Sequence, residues 1–185
     1  MCLDGVIVGS TSRVLKVCLI GADSTGKTTL AENLARHYGT VWVPECARDF
    51  IESRGGQFSF DDMIKIVECQ LTAEAQGTRE AKRLIFCDGS ALANCVWSDR
   101  YFGRRHPRVV ELANTSQYDL FLYSRVDVPC ETDPLRNSLE WREWLDRGFQ
   151  KELQHRNCNY VSIEGSWQER FQMAVRCVDE LIQRF

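Results

Sequence analysis

The run Gly21-Ala22-Asp23-Ser24-Thr25-Gly26-Lys27-Thr28 has the residue types and spacing to hold a nucleoside triphosphate. It fits G-x-x-x-x-G-K-[ST], the pattern of a phosphate-binding loop. Gly21 and Gly26 allow backbone angles and close approaches that a Cβ would block. The loop N–H groups and the N-terminus of a following helix can then point at phosphate oxygens, where the helix dipole favours negative charge. Lys27 can reach the β- and γ-phosphates, and the Thr28 hydroxyl can ligate Mg²⁺. ATP and Mg²⁺ are the implied cofactors, with nucleotide contacts running from Gly21 through Thr29. Asp23 is the odd member, because an acid there faces phosphates. Its expected place is as a cap on loop N–H groups, away from the ligand.

The other candidates stand at the ends of apolar runs. Asp88 closes Leu84-Ile85-Phe86-Cys87, where such proteins keep a second Mg²⁺ handle. The alternative is that it caps the next helix. Glu45 follows Thr40-Val41-Trp42-Val43-Pro44, and a carboxylate near the γ-phosphate can accept a proton from a substrate hydroxyl. The alternative is a solvated acid at a helix start, favoured by the dipole. Arg48, one turn further, can bind substrate or phosphate. Arg136 lies in a loop after the fourth strand, where many small-molecule kinases supply charge to the transferring phosphoryl group. Arg104, Arg105, His106 and Arg108 form a basic run, either part of a site or a solvated loop ahead of a helix opening at Pro107. Ser124-Arg125-Val126-Asp127 stands where a GTPase carries N-K-x-D, but the match is poor. Asp88-Gly89-Ser90-Ala91 is not D-x-x-G either, so a GTPase is disfavoured.

These residues need a scaffold, and the hydrophobic pattern supplies one. Val14 to Ile20 is an apolar, β-branched run of strand length leading into the loop. Leu30, Leu34 and Tyr38 then recur every fourth residue, and Gly39 is a natural helix stop. Further strands are expected at 40–43, 84–87, 118–123 and 159–163. Between them, Ser59 and Asp62 resemble a capping box ahead of Ile64, Val67 and Leu71. Trp141, Leu145, Gly148 and Phe149 share one face of a helix starting near Ser138. Ser166 and Glu169 form a capping box for a last helix with an apolar stripe at Phe171, Ala174, Val175, Val178, Leu181 and Ile182. The expected fold is α/β and P-loop NTPase-like: about five parallel strands with helices on both faces. Ligands of such sheets bind beyond the carboxyl ends of the strands, which is where the candidate residues fall.

At 185 residues the chain is of single-domain size, and its net charge of −3 gives no reason to expect a nucleic-acid partner. The expected division is an N-terminal segment, 1–13, and one kinase-like domain, 14–185, with a lid around 128–140. Arginine outnumbers lysine 18 to 5, which suits bidentate phosphate contacts. The 9 cysteines are scattered without a C-x-x-C pair and read as small core residues of a reduced compartment rather than a disulfide or zinc framework. No stretch approaches the length of a membrane span, and the first residues lack the pattern of a signal peptide. Cytoplasm is the expectation, with no membrane partner and nothing to set the oligomeric state.

With these residues assembled, the chain from Val14 onward resembles the kinase domain of the ribosylnicotinamide kinase (NadR-type) P-loop family. The family's loop reads G-x-E-S-[ST]-G-K-[ST], with Asp23 here in place of the glutamate. Its E-x-x-R-E-[FY] segment is matched by Glu45-Cys46-Ala47-Arg48-Asp49-Phe50. Tyr101-Phe102-Gly103-Arg104-Arg105-His106-Pro107 is similar to its Y-x-G-x-x-H-P, and Asp133-Pro134-Leu135-Arg136 resembles its D-G-L-R lid. The chain departs at the family's D-T-D, which reads Asp88-Gly89-Ser90. Pro44 replaces a tryptophan before Glu45, and a second aromatic on the next helix has no counterpart between Ile64 and Glu80. In the family those two rings hold the nicotinamide base; Trp42, Trp97 and Tyr101 are the rings available to substitute. The adenylyltransferase domain often fused ahead of this kinase does not fit in residues 1–13, so a kinase unit alone is expected.

The leading reading is an ATP- and Mg²⁺-dependent kinase acting on a nucleoside-like hydroxyl, with nicotinamide riboside the best single acceptor. Lys27, Glu45, Asp88 and Arg136 are its catalytic candidates. Thr28 and Asp88 would hold the metal, and Glu45, Arg48, Asp88, Trp97 and Tyr101 would line the acceptor site. Two readings stand beside it: a regulatory module that binds a nucleotide without small-molecule turnover, and a kinase for another nucleoside.

Overall fold

The computed structural model describes residues 13–128 and 139–185. Strand β1 (Leu15–Gly21) leads into the phosphate loop and helix α1 (Lys27–Tyr38), followed by a two-residue strand, β2 (Trp42–Val43). Helices α2 (Cys46–Glu52) and α3 (Asp62–Glu80) precede β3 (Leu84–Asp88). Then come α4 (Ala91–Phe102), α5 (Pro107–Thr115), β4 (Leu120–Ser124), α6 (Leu139–His155), β5 (Tyr160–Ile163) and α7 (Trp167–Arg184). The strands form one parallel sheet in the order β2-β3-β1-β4-β5. This is the P-loop kinase-like α/β architecture expected from the pattern.

The alternation along β1 explains why helices cover both faces. Leu15, Val17 and Leu19 pack with Leu30 and Leu34 of α1 and with Ala174 and Val178 of α7. Cys18 and Ile20 point the other way, against Leu92 and Val96 of α4 and Leu145 and Phe149 of α6. Successive side chains of a strand face opposite sides, so an apolar run without alternation must be buried on both. The chain leaves β1 toward β2 on one side and leaves β3 toward β4 on the other. Neighbouring strands with diverging connections open a crevice at their carboxyl ends. Gly21 and Asp88 end those two strands.

Both expected capping boxes form. Ser166 Oγ accepts from the Glu169 N–H while the Glu169 carboxylate accepts from the Ser166 N–H, and Ser59 and Asp62 exchange the same pair of bonds. Two local expectations need correction. The second strand holds only Trp42 and Val43, because it lies at the sheet edge and Pro44 follows. Asp88 does not cap α4; Ser90 does, accepting from the Ala93 N–H at 3.1 Å. The expected lid, with Asp133 and Arg136, falls almost wholly outside the described residues. Among the described residues no helix is long and apolar enough to cross a membrane.

One buried arginine ties the loop end of the sheet together. Arg170 on α7 is 1% exposed. It donates to the carbonyls of Gly165, Arg125 and, at 3.5 Å, Thr25, and it pairs with Asp127. Asp127 also accepts from the Gly165 N–H at 2.6 Å. The phosphate loop, the end of β4 and the turn into α7 thus share one guanidinium. We expect Arg170→Ala to lower stability by about 3 kcal/mol, since truncation leaves Asp127 and three carbonyls short of a partner. For a chain of this size that is a fall of roughly 6–12 °C in Tm. Thermal unfolding measures it, and a shift within about 2 °C would show that the tie carries no weight.

Candidate active site

The phosphate loop takes its shape from positions where only some residues fit. Gly21 has φ 148°, and a Cβ there would lie 2.5 Å from the Ser124 carbonyl oxygen of β4. That neighbour is backbone and cannot move aside, so the first loop position must be glycine. Gly26, at φ 80°, turns the chain into α1. The Ala22 carbonyl accepts from Thr25 Oγ at 2.9 Å and from Lys27 Nζ at 2.8 Å, which closes the loop on itself. Thr29 is exposed on the first turn of α1.

Across the crevice, Thr28 Oγ1 donates to Asp88 Oδ2 at 2.5 Å, joining the two residues expected at a metal. Asp88 is 1% exposed, and its other oxygen, Oδ1, is buried without a hydrogen-bond partner. A buried carboxylate oxygen left unpaired is costly, and a bound cation answers that cost. The hydroxyl and carboxylate are hard oxygen donors of the kind Mg²⁺ takes. The residues present fit the metal.

Next to this pair lies a cavity of about 310 Å³. Asp23 and Ser24 of the loop line it together with Glu45, Arg48 and Glu52 from the segment at α2 and with Met63, Ile66 and Asn94 from α3 and α4. Phe58, Trp97 and Tyr101 supply the aromatic surface. Phe58 meets Tyr101 edge-on with centroids 5.0 Å apart, and Trp97 lies nearly parallel to Tyr101 at 5.9 Å. The volume is at the lower end of small-molecule sites, and one wall belongs to the phosphate loop itself.

Glu45 precedes the first residue of α2 but makes no side-chain cap hydrogen bond to it. Its carboxylate instead lies beside Gly89, in the cavity wall. Burial pushes its pKa up to about 7, against the lowering effect of Lys27; Asp88 and Asp23 raise it further and Arg48 lowers it. A carboxylate poised near neutrality is suited to accept and release a proton.

The structure brings Glu45, Arg48, Trp97 and Tyr101 together around one cavity, with Lys27, Thr28 and Asp88 beside it. Asp23 lines the cavity beside the phosphate loop. Trp42 does not face the cavity; it packs against the core under α1 and α7. The basic run is structural. Arg105 bridges Asp99 at 2.6 Å and Glu152 at 2.8 Å, and Arg104 stacks over Phe60. His106 caps α5 by accepting from the Arg108 N–H. Asp127, at the guanine-reading position of a GTPase, is engaged by Arg170 and Gly165. Of the described cysteines, Cys18, Cys87 and Cys95 are buried as expected, but Cys69 is exposed, its sulfur 2.7 Å from that of Cys46.

Several site residues were not read from the sequence. Phe58 sits just before the Ser59 capping box and gave no periodic signal. Gln70 and Arg170 lie on the buried faces of α3 and α7, where a polar residue at apolar spacing was the available cue. Trp167, 43% exposed, stands over Gly26, within 3.2 Å of where a Cβ would be.

Comparison with known proteins agrees with this geometry. The family model described as AAA domain matches residues 16–170. The Trifunctional NAD biosynthesis/regulator protein NadR of Salmonella typhimurium is 28% identical over 178 residues, covering 91% of this chain and 43% of that protein. The chain thus spans less than half the length of this curated relative. A crystal structure of NadR protein in complex with NR superposes with TM-score 0.77 at 22% identity, covering 92% of this chain and 50% of that one. The deoxyadenosine kinase of M. mycoides, solved with dCMP and dCDP, shares the fold with TM-score 0.67 at 12% identity, over 90% of this chain and 100% of that one. The chain belongs to the AAA domain family of P-loop proteins and is homologous to NadR.

Proposed function

We propose that this chain is an ATP- and Mg²⁺-dependent kinase that transfers the γ-phosphate to a hydroxyl of a nucleoside-like acceptor. Nicotinamide riboside, giving nicotinamide mononucleotide, is the best single acceptor. In this reading residues 14–185 form one cytoplasmic kinase unit whose lid, around 128–140, carries Arg136. The observation that supports it most is that Glu45, the phosphate loop and three aromatic rings, Phe58, Trp97 and Tyr101, line the same cavity. A hydroxyl held there lies between a proton acceptor and the phosphates.

Glu45 takes the hydroxyl proton as the acceptor oxygen attacks the γ-phosphorus. The bond to the bridging oxygen breaks, and ADP leaves with that electron pair. Lys27 offsets charge on the transferring group, joined by Arg136 from the lid. Thr28 and Asp88 would hold Mg²⁺, which would offset negative charge on the phosphates. The exposed Trp167 ring beside Gly26 offers a flat surface to the nucleotide base. For the acceptor, Trp97, Tyr101 and Phe58 take the place of the family's two rings. Asp23, Glu45 and Glu52 outnumber Arg48 around the cavity, which suits a cationic aromatic ring over a neutral one. The NadR structure with NR supports that choice by relationship.

ADP release across a panel of nucleosides tests the reading. We expect nicotinamide riboside to stimulate turnover more than neutral nucleosides. Glu45→Gln should cut the stimulated rate by roughly a hundredfold or more while sparing Mg²⁺·ATP binding. Asp88→Asn should instead raise the Mg²⁺ requirement, and Lys27→Ala should lose turnover with the fold intact. Turnover unmoved by every nucleoside, with nucleotide-dependent partner binding in its place, would favour a regulatory module. Arg136→Ala should lower kcat by about a hundredfold with less change in nucleotide affinity; an effect on KM alone would assign it to ground-state binding.

The raised pKa of Glu45 predicts opposite effects of pH on activity and stability. Its carboxylate must be ionised to accept a proton, so kcat should fall below a limb near pH 7. A pKa raised on folding means that the protonated form is favoured in the native state. The stability it brings is full below the unfolded value and is lost as pH rises through the folded one. Glu45→Gln should therefore be more stable than wild type by roughly 1–3 kcal/mol near pH 8, with no gain near pH 4. Denaturant titrations at the two pH values measure it, and equal stability at both would place Glu45 in ordinary solvent.

A further inference from the structure

We infer that Gln70 is a positioning residue that frees the Glu45 carboxylate for the cavity by taking over the hydrogen bonding of the helix start behind it. The use made of that carboxylate rests on the kinase reading above; the placement does not. Helix α2 has no fully buried residue; its first turn touches α3 through Cys46 and Cys69. Its early N–H groups need acceptors, and the usual source is the side chain of the residue before the helix. That residue is Glu45, whose carboxylate makes no such bond.

Gln70 supplies the acceptor from a different helix. Its side chain is buried on α3, with the residue 2% exposed. Its Oε1 accepts from the Cys46 N–H at 3.0 Å, and its Nε2 donates to the Asp88 carbonyl at 3.5 Å. One end of the amide must accept and the other must donate, a combination a neutral amide provides without a proton of its own to place. The same side chain therefore spans the starts of both acid-bearing segments, the turn after β2 and the end of β3. Its neighbour Glu74, buried one turn along α3, is engaged by Lys16 and Tyr118 and is also within hydrogen-bonding reach of the Gln70 amide.

Without the Gln70 oxygen, the first N–H groups of α2 fall to the side chain that ordinarily caps a helix start, here Glu45. A carboxylate accepting backbone N–H bonds is held ionised, so its pKa drops. The charged groups around Glu45 are Lys27 on α1, Asp88 on β3, Asp23 in the loop and Arg48 on α2; Gln70→Met changes none of them, and Gln70→Glu adds a like charge that acts only upward on Glu45. The titration of Glu45 therefore reports where its carboxylate points.

The experiment is a ¹³C NMR titration of the protein labelled at glutamate Cδ, with the Glu45 signal identified by its loss in Glu45→Gln. We expect wild type to titrate near 7. Gln70→Met, similar in shape but unable to hydrogen-bond, should titrate lower by about one unit or more. Gln70→Glu, which keeps an oxygen for the Cys46 N–H, should show no downward shift. In the kinase assay Gln70→Met should lower kcat by about tenfold or more with an unchanged KM for ATP, and move the acid limb of its pH profile downward. An unshifted Glu45 in Gln70→Met overturns the inference, even if kcat falls. So does an equal drop in both variants. Should Gln70→Met fail to fold, hydrogen exchange at the wild-type Cys46 amide decides: slow exchange supports the cap and fast exchange overturns it. The titrations need no acceptor. A wild type that phosphorylates nothing would therefore sink the kinase reading while the titrations still judge Gln70.

Discussion

A carboxylate buried at the end of a central strand is the constraint from which the site follows. Asp88 is almost fully buried, one oxygen held by Thr28 and the other without a partner. An isolated buried charge is expensive, so it is retained where something compensates it. The hydroxyl at the start of α1 compensates one oxygen, and a cation at the unpartnered Oδ1 would compensate the other. The loop can bring that hydroxyl close because Gly21 lets the backbone pass against Ser124 where no side chain fits. Arg170 then holds the loop against the ends of β4 and α7.

Glu45 lies beside this pair and differs from Asp88 in kind. Asp88 is a strand residue held in register beside Leu19 of the central strand β1. Glu45 stands at the start of a helix with no fully buried residue, and the first N–H of that helix is accepted by Gln70 rather than by Glu45. Rigidity suits a metal ligand, whose geometry must not change. A proton acceptor works through its pKa, which burial raises and neighbouring charges tune. The two acids are thus separated by environment, although the sequence presents them as similar carboxylates after apolar runs.

That difference also marks what the sequence made legible. The loop, the strands and the fold class could be read because each rests on local pattern: glycine spacing, apolar runs, capping boxes. Glu45, Arg48, Trp97 and Tyr101 could be placed at one end of the sheet by the rule for parallel strands. What could not be read depends on contacts between distant segments. Phe58 completes the aromatic wall from a loop with no periodicity. Trp42 looked available but turns into the core, since a two-residue edge strand leaves one face to the cavity side and the other to α1. Asp23, singled out by its place in the loop, shares its cavity with Glu45 and Arg48 from a later segment, which local pattern does not reveal. The basic run around Arg105 resolved as ion pairs to Asp99 and Glu152, the second of them on a helix far along the chain.

The central claim is that the cavity beside the phosphate loop holds the hydroxyl that receives the phosphoryl group. It is tested most directly by identifying the product. Wild-type protein is incubated with Mg²⁺·ATP and nicotinamide riboside, and the mixture is followed by ³¹P NMR and mass spectrometry. The account predicts a new phosphomonoester on the riboside, formed in step with ADP. ADP accumulating with inorganic phosphate, and no phosphorylated product from nicotinamide riboside or any other nucleoside tried, would contradict it.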